Sequence, residues 1–335
     1  MLKFIPIISV VSLSLLTVFL VTLVPDDSLL GEGTQYYLEY LWHSLWGLNR
    51  YILTALIISL IGYLFWSFLK FSAKGGPGRF KEEIISRLRH LKGSFGEIFW
   101  YLLPSLACII LSSLALTPLN QISSVRLRDG FLMGIDSSLT GVYPSFYLAS
   151  IDFPNWLTQS IIFSFDGLAV FLSLAAIYVF FEKRELFRQL CAAMCAMFLL
   201  MFPLWMIFPA LSPQDRYIDN IYNLPVSAAI SEQVSSYDPA PAVGEFLERV
   251  RAQKDESDSP FLPTSTMPSA HTAWILMLGY YVFRVRKAAG LIFAPVVVLT
   301  ILGTVFLAQH YFIDIVGGIT VCSLSIAAVS FIRKS

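Results

Sequence analysis

The feature that most constrains this chain is the recurrence of apolar runs long enough to cross a lipid bilayer. A span of hydrocarbon requires about 20 apolar residues in helical form, because a lipid-exposed backbone group must find its hydrogen bond within its own segment. Eight stretches of the 335-residue sequence meet or approach that length, near residues 4–24, 50–71, 98–117, 157–181, 189–210, 270–283, 288–308 and 312–332. The sixth is short. The last three are separated only by Arg284-Val285-Arg286-Lys287 and Gln309-His310-Tyr311, which reads as a series of tight hairpins. The expected fold is an all-α integral membrane protein with about eight transmembrane helices, and 56% hydrophobic against 14% charged residues excludes a soluble globular domain. The first apolar run exceeds the roughly 7–15 residues of a signal-peptide core, and Thr22-Leu23-Val24 is a poor cleavage site, so the run reads as an uncleaved anchor.

Orientation follows from the cations beside the spans. Of 23 Lys and Arg, 16 fall on one side: Lys3, seven between Lys70 and Lys92, Lys183, Arg184, Arg188, Arg284, Arg286, Lys287, Arg333 and Lys334. The other side carries 7, on much longer loops. The positive-inside rule then places both termini in the cytoplasm and the loops 25–49, 118–156 and 211–269 outside. Net charge is +0, so no basic surplus exists to hold nucleic acid. Cys108, Cys191, Cys195 and Cys322 all lie in apolar runs without zinc-site spacing and read as small hydrophobes.

Several loop segments carry apolar faces. Phe80, Ile84, Leu88 and Leu91 share a helical face beside Arg87 and Arg89, which suits either a helix lying on anionic lipid or a solvated connector. Val243, Phe246, Leu247 and Val250 repeat the spacing on the outer side, in a helix placed to cap a site. Tyr36, Tyr37, Tyr40, Trp42 and Trp46 fit an interfacial belt, which makes His43 an interfacial side chain. Asp166, deep in the fourth run, either lines a substrate path or hydrogen-bonds within the bundle.

Two histidines stand at outer ends of spans. His271 follows Pro268-Ser269-Ala270 where the outer loop enters the sixth run, and His310 opens His310-Tyr311-Phe312-Ile313-Asp314. In a helix, i and i+4 share a face, so Asp314 can accept from one imidazole nitrogen and leave the other as a nucleophile. The pair could instead only stabilise a helix turn, or two His and one Asp could bind a divalent ion. Apart from His43, read as an interfacial side chain, no further outer His or Cys is present to complete such a metal set, so the reading is metal-independent and needs no cofactor.

These segments resemble the second and third signature motifs of the type 2 phosphatidic acid phosphatase (PAP2) superfamily, most closely its inositol phosphorylceramide synthase branch. The branch also carries Asp, Asp, Gly and Pro in a preceding outer segment, to which Asp129, Asp136, Gly141 and Pro144 are similar. The likeness covers roughly residues 98–332 and implies a six-helix catalytic core in 98–335, preceded by two extra spans and a basic segment in 1–97. It implies phosphoryl transfer through a phosphohistidine, with His310 as nucleophile, Asp314 as its partner and His271 as the proton donor. The implied partners are a phospholipid donor and a lipid or glycolipid acceptor.

The sequence departs from the phosphatase pattern where a Ser-Arg pair precedes the third-motif His, since Gly303 and Thr304 stand there. Other groups must then meet the phosphate charge. Candidates are Arg216 and Arg128, together with backbone amides after Pro268, while Ser269, Asp129 and Asp136 are further candidate substrate-binding residues. Arg216 either binds phosphate or pairs with Asp215 or Asp219. The functional expectation is a membrane phosphotransferase. The alternatives are a lipid phosphate phosphatase using water and a transporter with a His-Asp proton relay.

Overall fold

The computed structural model describes residues 2–23, 98–123, 126–255 and 264–334, with scattered positions between 54 and 96. The 36–46 aromatic cluster with His43, part of the second run and most of segment 80–91 lie outside the described residues. Twelve helices are named here: α1 (Phe4–Leu23), α2 (Leu103–Ser123), α3 (Asp129–Thr140), α4 (Pro144–Ala149), α5 (Asn155–Asp166), α6 (Leu168–Glu182), α7 (Arg184–Ile207), α8 (Ala228–Ser235), α9 (Pro241–Asp255), α10 (Ala270–Val285), α11 (Lys287–Phe306) and α12 (Phe312–Lys334). Among the described residues there is no strand beyond a single bridge between Ala210 and Ser265.

The chain is an all-α, multi-pass membrane protein. Five described helices are long and apolar enough to cross a bilayer, and α5 with α6 makes a sixth if the bent pair is one span. The central helix is α7, apolar on nearly all sides and buried along Leu190, Ala193, Met197, Met201 and Trp205, as a helix enclosed by others must be. It packs against α1, α2, α6, α10 and α12. Helix α10 has only 16 residues, about 24 Å, short for a hydrocarbon core. It stays enclosed by α6, α7, α11 and α12. Outer faces carry the residues lipid tolerates, such as Ile292, 80% exposed. All four cysteines are buried and free.

Two expectations about the spans are corrected. The fourth run is not one straight helix: it breaks at Gly167, where α5 and α6 diverge by 65°. A side chain at 167 would lie 2.7 Å from the Phe163 carbonyl and 2.9 Å from the Phe171 ring, so the bend admits only glycine. The last three helices are also not two successive packed hairpins. Helices α10 and α11 do pack together, but α12 packs on α7 and α10 instead. The reversal comes at 307–311, where Ala308 takes φ 51° and the amides of Gln309 and His310 both return to the Thr304 carbonyl.

The connections α2–α5, α7–α10 and α11–α12 meet at one end of the bundle. Gly141 stops α3 in the left-handed conformation (φ 75°) with its amide on the Ser137 carbonyl, and Pro144 starts α4 at a position that needs no amide hydrogen. Amphipathic α9 buries Val243, Phe246 and Leu247, as its spacing indicates, and packs on α5.

Candidate active site

Helix α10 begins at the site because Ser269 caps it, its hydroxyl accepting from the Thr272 amide at 3.2 Å. Trp205 of α7 donates to the Pro268 carbonyl at 3.2 Å, and the Ser269 amide donates to the Asp314 carbonyl at 3.0 Å. The entry to α10 is thereby tied to the first turn of α12. His271, in the first turn of α10, faces His310 across that junction.

Three side chains form a chain of contacts. Asp314 Oδ2 lies 3.3 Å from His310 Nδ1, and His310 Nε2 lies 3.1 Å from His271 Nδ1. The directions follow from the carboxylate, which only accepts. His310 Nδ1 therefore donates to Asp314, His310 Nε2 presents its lone pair, and His271 Nδ1 donates to it. Asp314 Oδ2 also accepts from the Tyr311 amide at 3.0 Å. Burial pushes the His310 imidazole down to about 4, which leaves the ring neutral near pH 7.

The two acids of α3 hold this turn from behind. Asp136 is fully buried and accepts from the Phe312 and Ile313 amides at 2.7 and 2.9 Å, capping α12 with a charge at its positive end. Two turns earlier on the same helix, Asp129 accepts from the Leu211 amide at 2.8 Å and the Tyr311 hydroxyl at 3.1 Å. Burial raises both carboxyls to about 6. Ser145 of α4 adds a bond to the His310 carbonyl at 3.1 Å.

His271 and His310 open on a cavity of about 300 Å³. Its polar wall includes Ser212, Asp215, Thr266 and Gln309; its apolar wall includes Ile109 and Leu116 of α2, Phe198 of α7 and Trp274 of α10. Ile109 lies 11 residues, about 16 Å of helix, below Asn120, whose side chain anchors Thr264 at the loop-rich end. The cavity thus descends from the histidines along apolar helix faces. No Lys or Arg among the described residues lines it.

The structure brings together His271, His310 and Asp314, and not the other predicted site residues. Ser269, Asp129 and Asp136 are buried behind the relay and bond backbone or Tyr311. Arg216 lies outside the cavity lining and pairs with neither Asp215 nor Asp219: it donates to the carbonyls of Leu224 and Pro225, at 3.4 and 2.7 Å, and stacks over Tyr217. Asp215 accepts from Ser212 and Asp219 pairs with Arg251. The Arg128 amide bonds the Pro209 carbonyl, which fixes the start of α3. Asp166 pairs with Arg249 of α9 at 2.6 Å, because the break at Gly167 brings it beside that helix.

Sequence reasoning named Asp215 only as a partner for Arg216, and placed neither it nor Gln309 and Gln214 at the site. Gln214 takes a hydrogen bond from Gln309 at 2.8 Å and donates to the Leu247 carbonyl at 3.0 Å, joining the π-turn at Gln214–Ile218 to α9 and to the histidine turn. Polar residues in a loop carry no periodic signal, so nothing in the sequence singles them out.

A contact chain from buried Asp314 and His310 to half-buried His271, at one end of an apolar helical bundle and facing a cavity, defines a multi-pass membrane protein with a histidine-lined site. The family model described as "PAP2 superfamily" matches residues 131–328, and the chain belongs to that superfamily. Members are generally phosphatases or phosphotransferases acting on lipid substrates. No curated protein and no solved structure matches the chain.

Proposed function

We propose that this protein transfers a phosphate-linked head group from a lipid phosphodiester to a hydroxyl acceptor, through a phosphohistidine at His310, on the outer face of the membrane. The observation that carries the reading is the ordered contact chain from Asp314 through His310 to His271 at the wall of the cavity. Substrate entering between the rings replaces the hydrogen bond between them and frees the His310 Nε2 lone pair. That nitrogen attacks phosphorus while the bond to the lipid oxygen breaks. His271, carrying a second proton taken up with the anionic substrate, gives one to the leaving oxygen. The positive charge on the phosphorylated ring faces Asp314. His271, now neutral, removes the proton of the acceptor hydroxyl, which attacks phosphorus and releases His310.

Charge supports a diester donor. The cavity wall has an acid, Asp215, and no cation among the described residues. A diester carries a single negative charge, which one His271 imidazolium balances; a monoester carries up to two. This agrees with the inositol phosphorylceramide synthase branch. The placement of Asp166 weighs against a proton-relay transporter. The 15 residues of α6, about 22 Å, separate it from the far end of that helix, and its partner is the surface residue Arg249.

The test is a donor lipid labelled at phosphorus, given to purified protein with and without a hydroxylic lipid acceptor. Wild type is expected to form an acid-labile phosphoenzyme that passes label to the acceptor, and His310→Ala to form none. Equal labelling of the two proteins refutes the assignment, and label passing only to water assigns a phosphatase.

A further inference from the structure

Three consecutive residues at the end of α5 do three different things. Phe165 lies flat against His271, with ring centroids 4.9 Å apart and planes 18° apart. Asp166 forms the ion pair with Arg249, and Gly167 makes the break. The helix end is fixed closely from one side. A side chain at Gly303 of α11 would come within 3.2 Å of both Phe165 and Ile161, and Thr300 donates to the Ser164 carbonyl at 3.1 Å. From another side, Phe246 of α9 meets the Phe165 ring edge-on at 6.0 Å, and Arg249 covers the Phe246 ring at 5.2 Å while holding Asp166.

We infer that α9 is a strap that seats Phe165 on His271, and that Phe165 is a positioning residue for the proton donor. The kinetic part of this inference rests on the proposed function; the ring packing does not. The outer torsion of histidine is a broad, two-fold one, so nothing intrinsic keeps Nδ1 aimed at His310. A flat aromatic face against the imidazole removes that freedom. The same face favours the imidazolium that must persist until the leaving oxygen is protonated, because a cation is attracted to the π-system. Gly303 permits the approach, the break at Gly167 turns Phe165 inward, and the Arg249–Asp166 pair holds α9 over it.

The experiment reads His271 directly in the full-length protein in detergent, by its rate of modification with diethyl pyrocarbonate followed by peptide mass spectrometry, beside steady-state kinetics. Phe165→Leu is expected to raise the modification rate several-fold, to lower kcat by about 10²-fold with KM little changed, and to shift the limb of the kcat–pH profile that reports the proton donor. Phe165→Tyr keeps the flat face and restores all three. Arg249→Asp places two acids together and raises the modification rate, and adding Asp166→Arg restores it. A Phe165→Leu protein with unchanged modification rate and pH profile overturns the positioning role. An exchanged pair that fails to restore the Arg249→Asp defect overturns the strap. Modification is measured without turnover, so a wild-type protein inactive on every donor would overturn the proposed function while the ring packing is still decided.

Discussion

Replacing Asp314 by Asn separates the charge of the relay from its geometry. Asp314 uses one oxygen, Oδ2, for both His310 and Tyr311, and Oδ1 has no hydrogen-bond partner among the described residues. An asparagine can set its carbonyl oxygen in the Oδ2 place, accept both bonds and leave its NH2 where no bond is lost. Only the charge disappears. At the 3.3 Å between His310 and Asp314, with an effective dielectric constant of about 20, a carboxylate attracts the positive ring formed at His310 by about 5 kcal/mol. At about 1.4 kcal/mol per decade this sets an upper limit near 10⁴ in rate. The expected loss is on the order of 10² to 10⁴ in kcat with KM nearly unchanged, because the charge acts on the transition state and intermediate rather than on bound substrate. The same exchange in the Ser-His-Asp triad of a hydrolase, where the acid likewise orients a histidine and stabilises its cation, costs about 10⁴. Thermal unfolding should show Asp314→Asn no less stable than wild type, since a buried charge has been removed. Single-turnover transfer of labelled phosphorus measures the chemical step. A loss below tenfold, or a loss accompanied by a clear fall in melting temperature, refutes the electrostatic role.

Burial of His310 predicts that its protonation limits turnover only below about pH 4, since the nucleophile must be neutral; a kcat/KM profile controlled by His310 at about pH 6.5 would contradict its burial. The sign for stability is fixed by the same shift. Between about 6.5 and 4 the unfolded imidazole binds a proton that the folded one does not, so this residue's contribution to stability falls as pH drops through that window, measurable by unfolding at both ends. Asp136→Ala strips two charge-assisted bonds from the first amides of α12 and should cost about 3 kcal/mol or more in stability, with activity falling alongside; a Tm equal to wild type would show that the cap is dispensable. For topology, an exposed Ser235→Cys should react with an impermeant maleimide outside intact cells and Lys287→Cys only after permeabilisation, the native cysteines being buried. The reverse pattern would move the site to the cytoplasmic side.

The parts of this molecule legible in the sequence are those with a local rule behind them. The spans are legible because a lipid-facing helix must be apolar over its whole length. The His310–Asp314 contact is legible because i and i+4 coincide on a helix, although the turn at 310–311 is supplied by bonds to Thr304 that no periodicity encodes. The cap helix α9 is visible from the spacing of Val243, Phe246 and Leu247. The bend at Gly167 is not, because the run on either side is equally apolar and only the steric crowding of Phe163 and Phe171 reveals why glycine stands there.

The candidate phosphate ligands show where reasoning from residue type ends. Arg216 stands out in the sequence because phosphate needs positive charge, yet its loop folds so that the carbonyls of Leu224 and Pro225 occupy the guanidinium. Asp129 and Asp136, grouped with the substrate ligands by motif, bond the elements that carry His310 instead. A helix that must begin beside the proposed nucleophile has free amides to satisfy, and a buried carboxylate satisfies two at once. A motif acid can therefore be indispensable without touching substrate. The corresponding division of effects is testable: Asp136→Ala is expected to lose stability and activity together, whereas Asp314→Asn should lose activity alone.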